Sequence, residues 1–234
     1  MKKIIFGLLA ITTIGISCSK DGTTTPVTVD SYFNITAGNT WNYKQTANPN
    51  TTPVVTTYSL ASLSVPDSAK GSTGKMYHVF SHSGAANEYY NVTGNSYYNF
   101  RALPALLGGS NVEDLYLKAD AAVGDHWAQS PISITNSGYT ATVIPTDTVI
   151  EKGISKTVHG ITYNNVIHVS TGLSITSITP PLPPLVSVTI TSNIQNYYAP
   201  KVGLIFSYTK ASLAITGLPA QNTESQNELQ STNF

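Results

Sequence analysis

Cysteine is nearly absent: Cys18 is the only one in 234 residues. No intramolecular disulfide can form, and there is no second thiol for a redox pair or a thiolate metal site. Arginine is equally scarce, with Arg101 alone, and charged residues make up 10% of the chain. Nucleic-acid binding asks for clustered Lys and Arg, and no such cluster exists. The longest apolar run, Ile4 to Ser17, has fourteen residues, short of the roughly 20 needed for a membrane-spanning helix. Helical periodicity is missing throughout. The chain is rich instead in Thr, Ser, Asn and Tyr, with 14 Tyr against 6 Phe and 2 Trp, a composition suited to strands.

The position of the cysteine is informative. Lys2 and Lys3, the fourteen-residue apolar run and the polar stretch from Ser19 onward reproduce the charged and apolar regions of a secretory signal. Gly15-Ile16-Ser17-Cys18 at the end of that run resembles the lipobox of bacterial lipoproteins. The resemblance implies that Cys18 receives a diacylglycerol, that the chain is cut before it, and that the new amino terminus is acylated with a chain such as palmitate. It implies a signal peptide over 1–17 and a membrane partner reached through a lipid anchor. Ser19, in place of Asp, fits an outer-membrane destination within the same resemblance; periplasmic or surface exposure stays open. The alternative is an ordinary secretory signal with Cys18 as a small buried residue. Removal of residues 1–17 leaves ten basic against twelve acidic residues, a net charge of about −2.

Period-two alternation predicts strands along most of the chain. Val186, Val188, Ile190 and Ile194 share one face, and Ser187, Thr189, Thr191 and Gln195 the other. Further strands are expected over 40–47, 54–65, 75–83, 88–93, 96–101, 112–118, 139–151, 163–171, 204–210 and 212–216. Pro145 inside a strand places that strand at an edge or a bulge. The Thr-rich residues 18–30 read as a lipidated tether, and 219–234 as a polar tail outside the fold, since it lacks an apolar period. Residues 31–218 form one all-β, antiparallel domain, a strongly curved sheet or open barrel, with a two-sheet sandwich as the alternative.

Trp41 and Trp127 each follow a Gly by three residues and an Asn or Asp by two. The same offset relates Tyr77 to Tyr163 and His82 to His168, and a longer one relates Tyr97-Tyr98 to Tyr197-Tyr198. This suggests two similar halves, 36–101 and 122–208, unless it is coincidence in a chain rich in Gly and Tyr. The stretches around Trp41 and around Tyr198-Gly203 are similar to ones in uncharacterised exported lipoproteins, which carry no known active site.

Candidate chemistry is sparse. His78 and His82 are four apart, but on a strand that separates them by about 13 Å, too far to share a metal. Gly71 to Lys75 lacks the first Gly of a phosphate loop, and Met76 stands where Ser or Thr is required. No nucleophile elbow or zinc helix motif is present. Glu113, Asp114, Asp120 and Asp125 could supply a carboxylate pair, with nothing in their spacing to select one. No metal or cofactor is expected. Ser68 in Asp67-Ser68-Ala69 and Thr148 in Asp147-Thr148-Val149 resemble acceptors of a bacterial O-glycosylation system.

Tyrosine offers an apolar plane with a polar tip, so Tyr89, Tyr90, Tyr97, Tyr98, Tyr197 and Tyr198 could line a groove for a glycan or lipid. Consecutive strand residues point to opposite faces, so one of each pair belongs to the core. Three functions follow: a non-enzymatic lipoprotein binding a ligand, glycan or protein; a carrier of hydrophobic molecules in an open half-barrel; or a polysaccharide hydrolase. The first is the expectation, with no enzymatic activity.

Overall fold

The computed structural model describes residues 31–71, 74–102, 111–136, 138–182 and 186–234. Cys18, the signal region and the tether lie outside them. Among the described residues there is no helix. Fourteen strands form the fold: β1 (Thr40–Ala47), β2 (Val54–Ser62), β3 (Ser68–Lys70), β4 (Lys75–His82), β5 (Glu88–Thr93), β6 (Ser96–Ala102) and β7 (Asn111–Lys118), then β8 (His126–Ala128), β9 (Ile132–Asn136), β10 (Tyr139–Val158), β11 (Ile161–Thr179), β12 (Val188–Ala199), β13 (Gly203–Ile215) and β14 (Gln221–Thr232).

All pair in one antiparallel sheet of order β7-β6-β5-β4-β2-β1-β14-β13-β12-β11-β10-β8, with β3 added to β4 and β9 to β10. The sheet is not closed by a backbone ladder. It is curved nonetheless, because Tyr58 of β2, Pro145 of β10 and Thr171 of β11 front the same cavity. This is the open-barrel form of the expected all-β fold. Two clusters fill the interior: an aromatic one around Phe33, Trp41, Tyr43, Phe80 and Tyr116, and an aliphatic one around Ile132, Val143 and Leu213.

Pro145 sits where its missing N–H does no harm. On β10, residues 139–143 pair with β9 and 146–148 with β8, leaving Pro145 in the gap between them. His159 (φ 48°) and Gly160 (φ 79°) make the left-handed two-residue turn of the β10–β11 hairpin, the geometry that matches strand twist.

The polar tail is corrected. Residues 221–232 form β14, paired with β1 on one side and β13 on the other. Its inward residues Thr223, Ser225 and Asn227 front the cavity, so a strand in the middle of the sheet carries no apolar alternation.

The chain runs as two six-strand meanders, β1-β2-β4-β5-β6-β7 and β8-β10-β11-β12-β13-β14. Their opening turns match bond for bond. Gly38 N–H donates to Ser62 O (2.9 Å) and Gly124 N–H to Val149 O (2.8 Å). Ser62 N–H donates back to Asn39 O (2.9 Å), and Val149 N–H to Asp125 O (3.0 Å). Both glycines are left-handed, at φ 87° and 92°, which is why Gly precedes each Trp. The tyrosine correspondences are not realised. Phe80 of β4 points inward, so Tyr77, three residues away, points outward, whereas Tyr163 packs against the interior cluster. Tyr97-Tyr98 lie on the fifth strand of their meander and Tyr197-Tyr198 on the fourth. The meanders span 40–118 and 126–232, rather than 36–101 and 122–208.

Candidate functional site: a polar aromatic lumen

Between the two clusters lies a cavity of about 320 Å³, at the lower end of the range for small-molecule sites, roughly 300–1,000 Å³. Strand alternation builds its wall. Tyr43 and Gln45 of β1, Tyr58 of β2, Glu88 and Tyr90 of β5, and Asn99 and Arg101 of β6 all point inward. Opposite them stand Asn196 and Tyr198 of β12, with Ser207 and Thr209 of β13. Phe33, from the segment before β1, plugs one side. Its ring stacks on Trp41 at 5.4 Å and lies 4.6 Å from Tyr90.

Each aromatic is held. Tyr43 Oη donates to Leu204 O (2.8 Å), and Tyr90 Oη to Glu88 Oε2 (2.5 Å). Tyr43 stacks on Tyr58 at 5.2 Å, and Tyr58 on His82 at 4.5 Å. Burial, followed by the charge of Glu88, raises the phenol pKa of Tyr58 and Tyr90 above the usual range; burial followed by Tyr58 does so for Tyr43. The rings stay neutral at physiological pH. Arg101 Nη2 lies 3.3 Å from Asp114 Oδ2 and keeps 42% of its side chain accessible, on the surface that fronts the cavity.

The free edges β7 and β8 meet beside this lumen through side chains. Trp127 Nε1–H donates to Leu115 O (2.6 Å), Gln129 Nε2–H to the same oxygen (2.6 Å), and Leu115 N–H to Gln129 Oε1 (3.0 Å). Gln129 also donates to Asp147 Oδ2 (2.5 Å), whose other oxygen accepts from Thr171 Oγ1 (2.5 Å). Asp147 is 4% exposed. Burial, then the nearby Asp114 charge, pushes its pKa up to about 7, against the lowering effect of those two hydrogen bonds.

The six tyrosines singled out in the sequence divide by face. Tyr90 and Tyr198 line the lumen, and Tyr97 is buried, its hydroxyl accepting from Tyr32 N–H (2.9 Å). Tyr89 and Tyr98 lie outside, under Lys70 and Lys75, and Tyr197 packs at the margin of the aromatic cluster under Lys156. No groove unites the six. Glu113 is ion-paired to Lys75 at 2.7 Å on the outer face. Asp125 caps Ala122 N–H at 2.8 Å, and Asp120 lies beside it on the surface. Ser68 opens β3 instead of lying in a loop, and Thr148 sits within β10 opposite Ser170. Sequence reading missed Tyr43, Tyr58, Glu88, Asn99 and Arg101. Their signal was polar and aromatic residues recurring at period two.

One constellation has hydrolase-like distances. Ser62 Oγ is 3.0 Å from His78 Nε2, and His78 Nδ1 is 3.0 Å from Asp67 Oδ1. Ser62 is 3% exposed, however, and its hydroxyl donates to Ile35 O at 3.0 Å. The amides that would form an oxyanion hole are spent on the sheet, Ser62 N–H on Asn39 O and Leu63 N–H on Val79 O. This is a clamp holding the entry segment onto β2 and β4. Among the described residues no group of His, Cys, Asp and Glu could hold a metal ion.

No protein-family model matches the chain, and no curated protein matches it. Among solved structures it is similar to a "putative lipoprotein" from Parabacteroides distasonis, at 13% identity and a TM-score of 0.41, over 87% of this chain and 99% of that one. A likeness that distant carries no role across.

Proposed function

We propose that the protein is a non-enzymatic binding protein of the cell envelope, lipid-anchored through Cys18, that takes a small ligand into its lumen. One observation carries the binding reading: a cavity of about 320 Å³ with an aromatic and polar wall drawn from both meanders. An apolar pocket would favour a carrier of hydrophobic molecules, and an exposed aromatic strip would favour glycan or protein recognition. The wall combines Leu60, Ile132, Leu173, Ile194 and Leu204 and the Tyr rings with Glu88, Asn99, Arg101 and Asn196, an apolar surface carrying the few placed polar groups that orient a ligand. A hydrolase would need a reachable nucleophile or an open carboxylate pair, whereas Ser62 is buried and both oxygens of Asp147 are engaged.

The test is native mass spectrometry of the full chain extracted from membranes, compared with Thr209→Trp, in which the indole fills the lumen. A small molecule retained by the unaltered protein and absent from the variant supports the reading. Equal retention by a variant that melts normally removes the lumen as the site.

A further inference from the structure

Two charged side chains line the lumen, Glu88 and Arg101. Arg101 is already matched by Asp114 at 3.3 Å. Glu88 accepts from the Tyr90 hydroxyl and takes part in none of the ion pairs among the described residues. Arg101 acts on Glu88 electrostatically without forming an ion pair with it, so the carboxylate keeps room for a cation in direct contact, which gains more in the lumen than it would at the surface.

The unsatisfied neutral groups point the same way. Asn99 is 8% exposed, lines the cavity, and its amide oxygen has no donor; the buried amide oxygen of Asn227, on the opposite wall, has none either. Asn227 Nδ2 is already given to Ser207 Oγ at 3.1 Å. Buried acceptors without donors are rare in folded proteins. A carboxylate and two amide oxygens ask for a ligand that donates.

Aromatic faces complete the wall. Glu88 shares the lumen wall with Tyr43, Tyr58 and Tyr90, which sets its carboxylate beside three rings, two of them stacked at 5.2 Å. Tyr58 is already stacked on Tyr43 and on His82, so the rings offer an apolar wall beside the carboxylate, and a cation gains from the faces left open. An anion would meet Glu88 and Asp114 with a single arginine already engaged. A neutral polyol could satisfy the amide oxygens but would leave Glu88 without a cation in direct contact.

We infer that the lumen binds a small organic ammonium cation, its N–H groups given to Glu88 and the amide oxygens of Asn99 and Asn227, its carbon body against the aromatic and aliphatic side of the wall. This rests on the lumen being the binding site.

Isothermal titration of the full chain in detergent at neutral pH tests it with three probes sharing one aromatic body: phenethylammonium, 2-phenylethanol and phenylacetate. Phenethylammonium should bind at least about ten-fold more tightly than the alcohol, and phenylacetate should give no heat of binding. Glu88→Gln, which keeps the size and an acceptor for Tyr90, should lose that ten-fold advantage while leaving the alcohol unchanged. Asn99→Leu, which removes an unsatisfied acceptor from the wall, should weaken the ammonium more than the alcohol, and it decides the matter if Glu88→Gln does not fold. Alcohol or phenylacetate binding as tightly as the amine overturns the cation inference while leaving a lumen that binds ligands. Silence from all three probes overturns it as well, and the Thr209→Trp comparison then judges the lumen separately.

Discussion

Trp127 and Leu115 join two strand edges that share no backbone ladder: the indole N–H of β8 donates to the carbonyl of β7 at 2.6 Å. Gln129 adds a donor and an acceptor to the same residue. These side-chain bonds do at this seam what main-chain pairing does at every other. Trp127→Phe should cost about 0.5–1.5 kcal/mol for the lost hydrogen bond, since the Leu115 carbonyl still accepts from Gln129. Hydrogen exchange should locate the loss in β7 and β8 while β12 and β13 stay protected.

Asp147 makes the seam sensitive to pH. Its pKa, pushed up to about 7 by burial and then by Asp114, lies above that of the same group in an unfolded chain. The folded protein therefore holds a proton that the unfolded chain has released. That contribution to stability is full below about pH 4 and is lost as pH rises through about 7. Melting temperature should fall between about pH 4 and 7 and level off above that, and Asp147→Asn should flatten the profile. A profile as steep in the variant as in the parent assigns the dependence to another group.

The Ser62–His78–Asp67 clamp should behave as structure. Ser62→Ala removes a buried hydroxyl bonded to Ile35 O at 3.0 Å, so stability should drop by about 1–2 kcal/mol. Fluorophosphonate probes, which label reactive serines, should leave the unaltered protein unmarked. Labelling that Ser62→Ala abolishes would establish a nucleophile.

Gly203 is tightly enclosed. A Cβ there would stand 2.6 Å from Phe33 Cδ2, at a φ of 92°. Gly203→Ala should destabilise by about 2 kcal/mol or more, combining backbone strain with overpacking. Gly153, also left-handed at φ 75° but with nothing within 4 Å, should cost only about 1 kcal/mol on the same change. Denaturant titration separates the two.

Lipidation at Cys18 predicts that Cys18→Ala moves the protein from the membrane fraction to the soluble one. Continued membrane attachment of the variant would argue for another anchor.

Several strands were legible because their inward faces are apolar, as in Val186 to Gln195; Leu204 to Lys210 was legible for the opposite reason, Phe206 and Tyr208 lying outside while Ser207 and Thr209 face the lumen. Reading failed where the inward face meets the lumen. Thr223, Ser225 and Asn227 have no apolar period because their side chains face a cavity, so β14 looked like a tail. The short β8 and β9 carry too few residues for a period to show. The lumen itself was hidden for a different reason. Tyr43, Tyr58, Glu88 and Arg101 come together only through sheet curvature, which no local spacing encodes, whereas the Gly turns before each Trp are local and could be read directly.

The place of β14 bears on how the chain assembles. Tyr43 pairs with Leu229 and Gln45 with Asn227, so the first strand completes its hydrogen bonding only with the last. Contacts of such long sequence separation form slowly. Until they form, β1 and β13 each present an unpaired edge, the feature by which sheets recruit other chains. A chain emerging amino terminus first thus stays open along one line until its final strand arrives, and a partner that covers β1 in the meantime would hold the barrel unassembled.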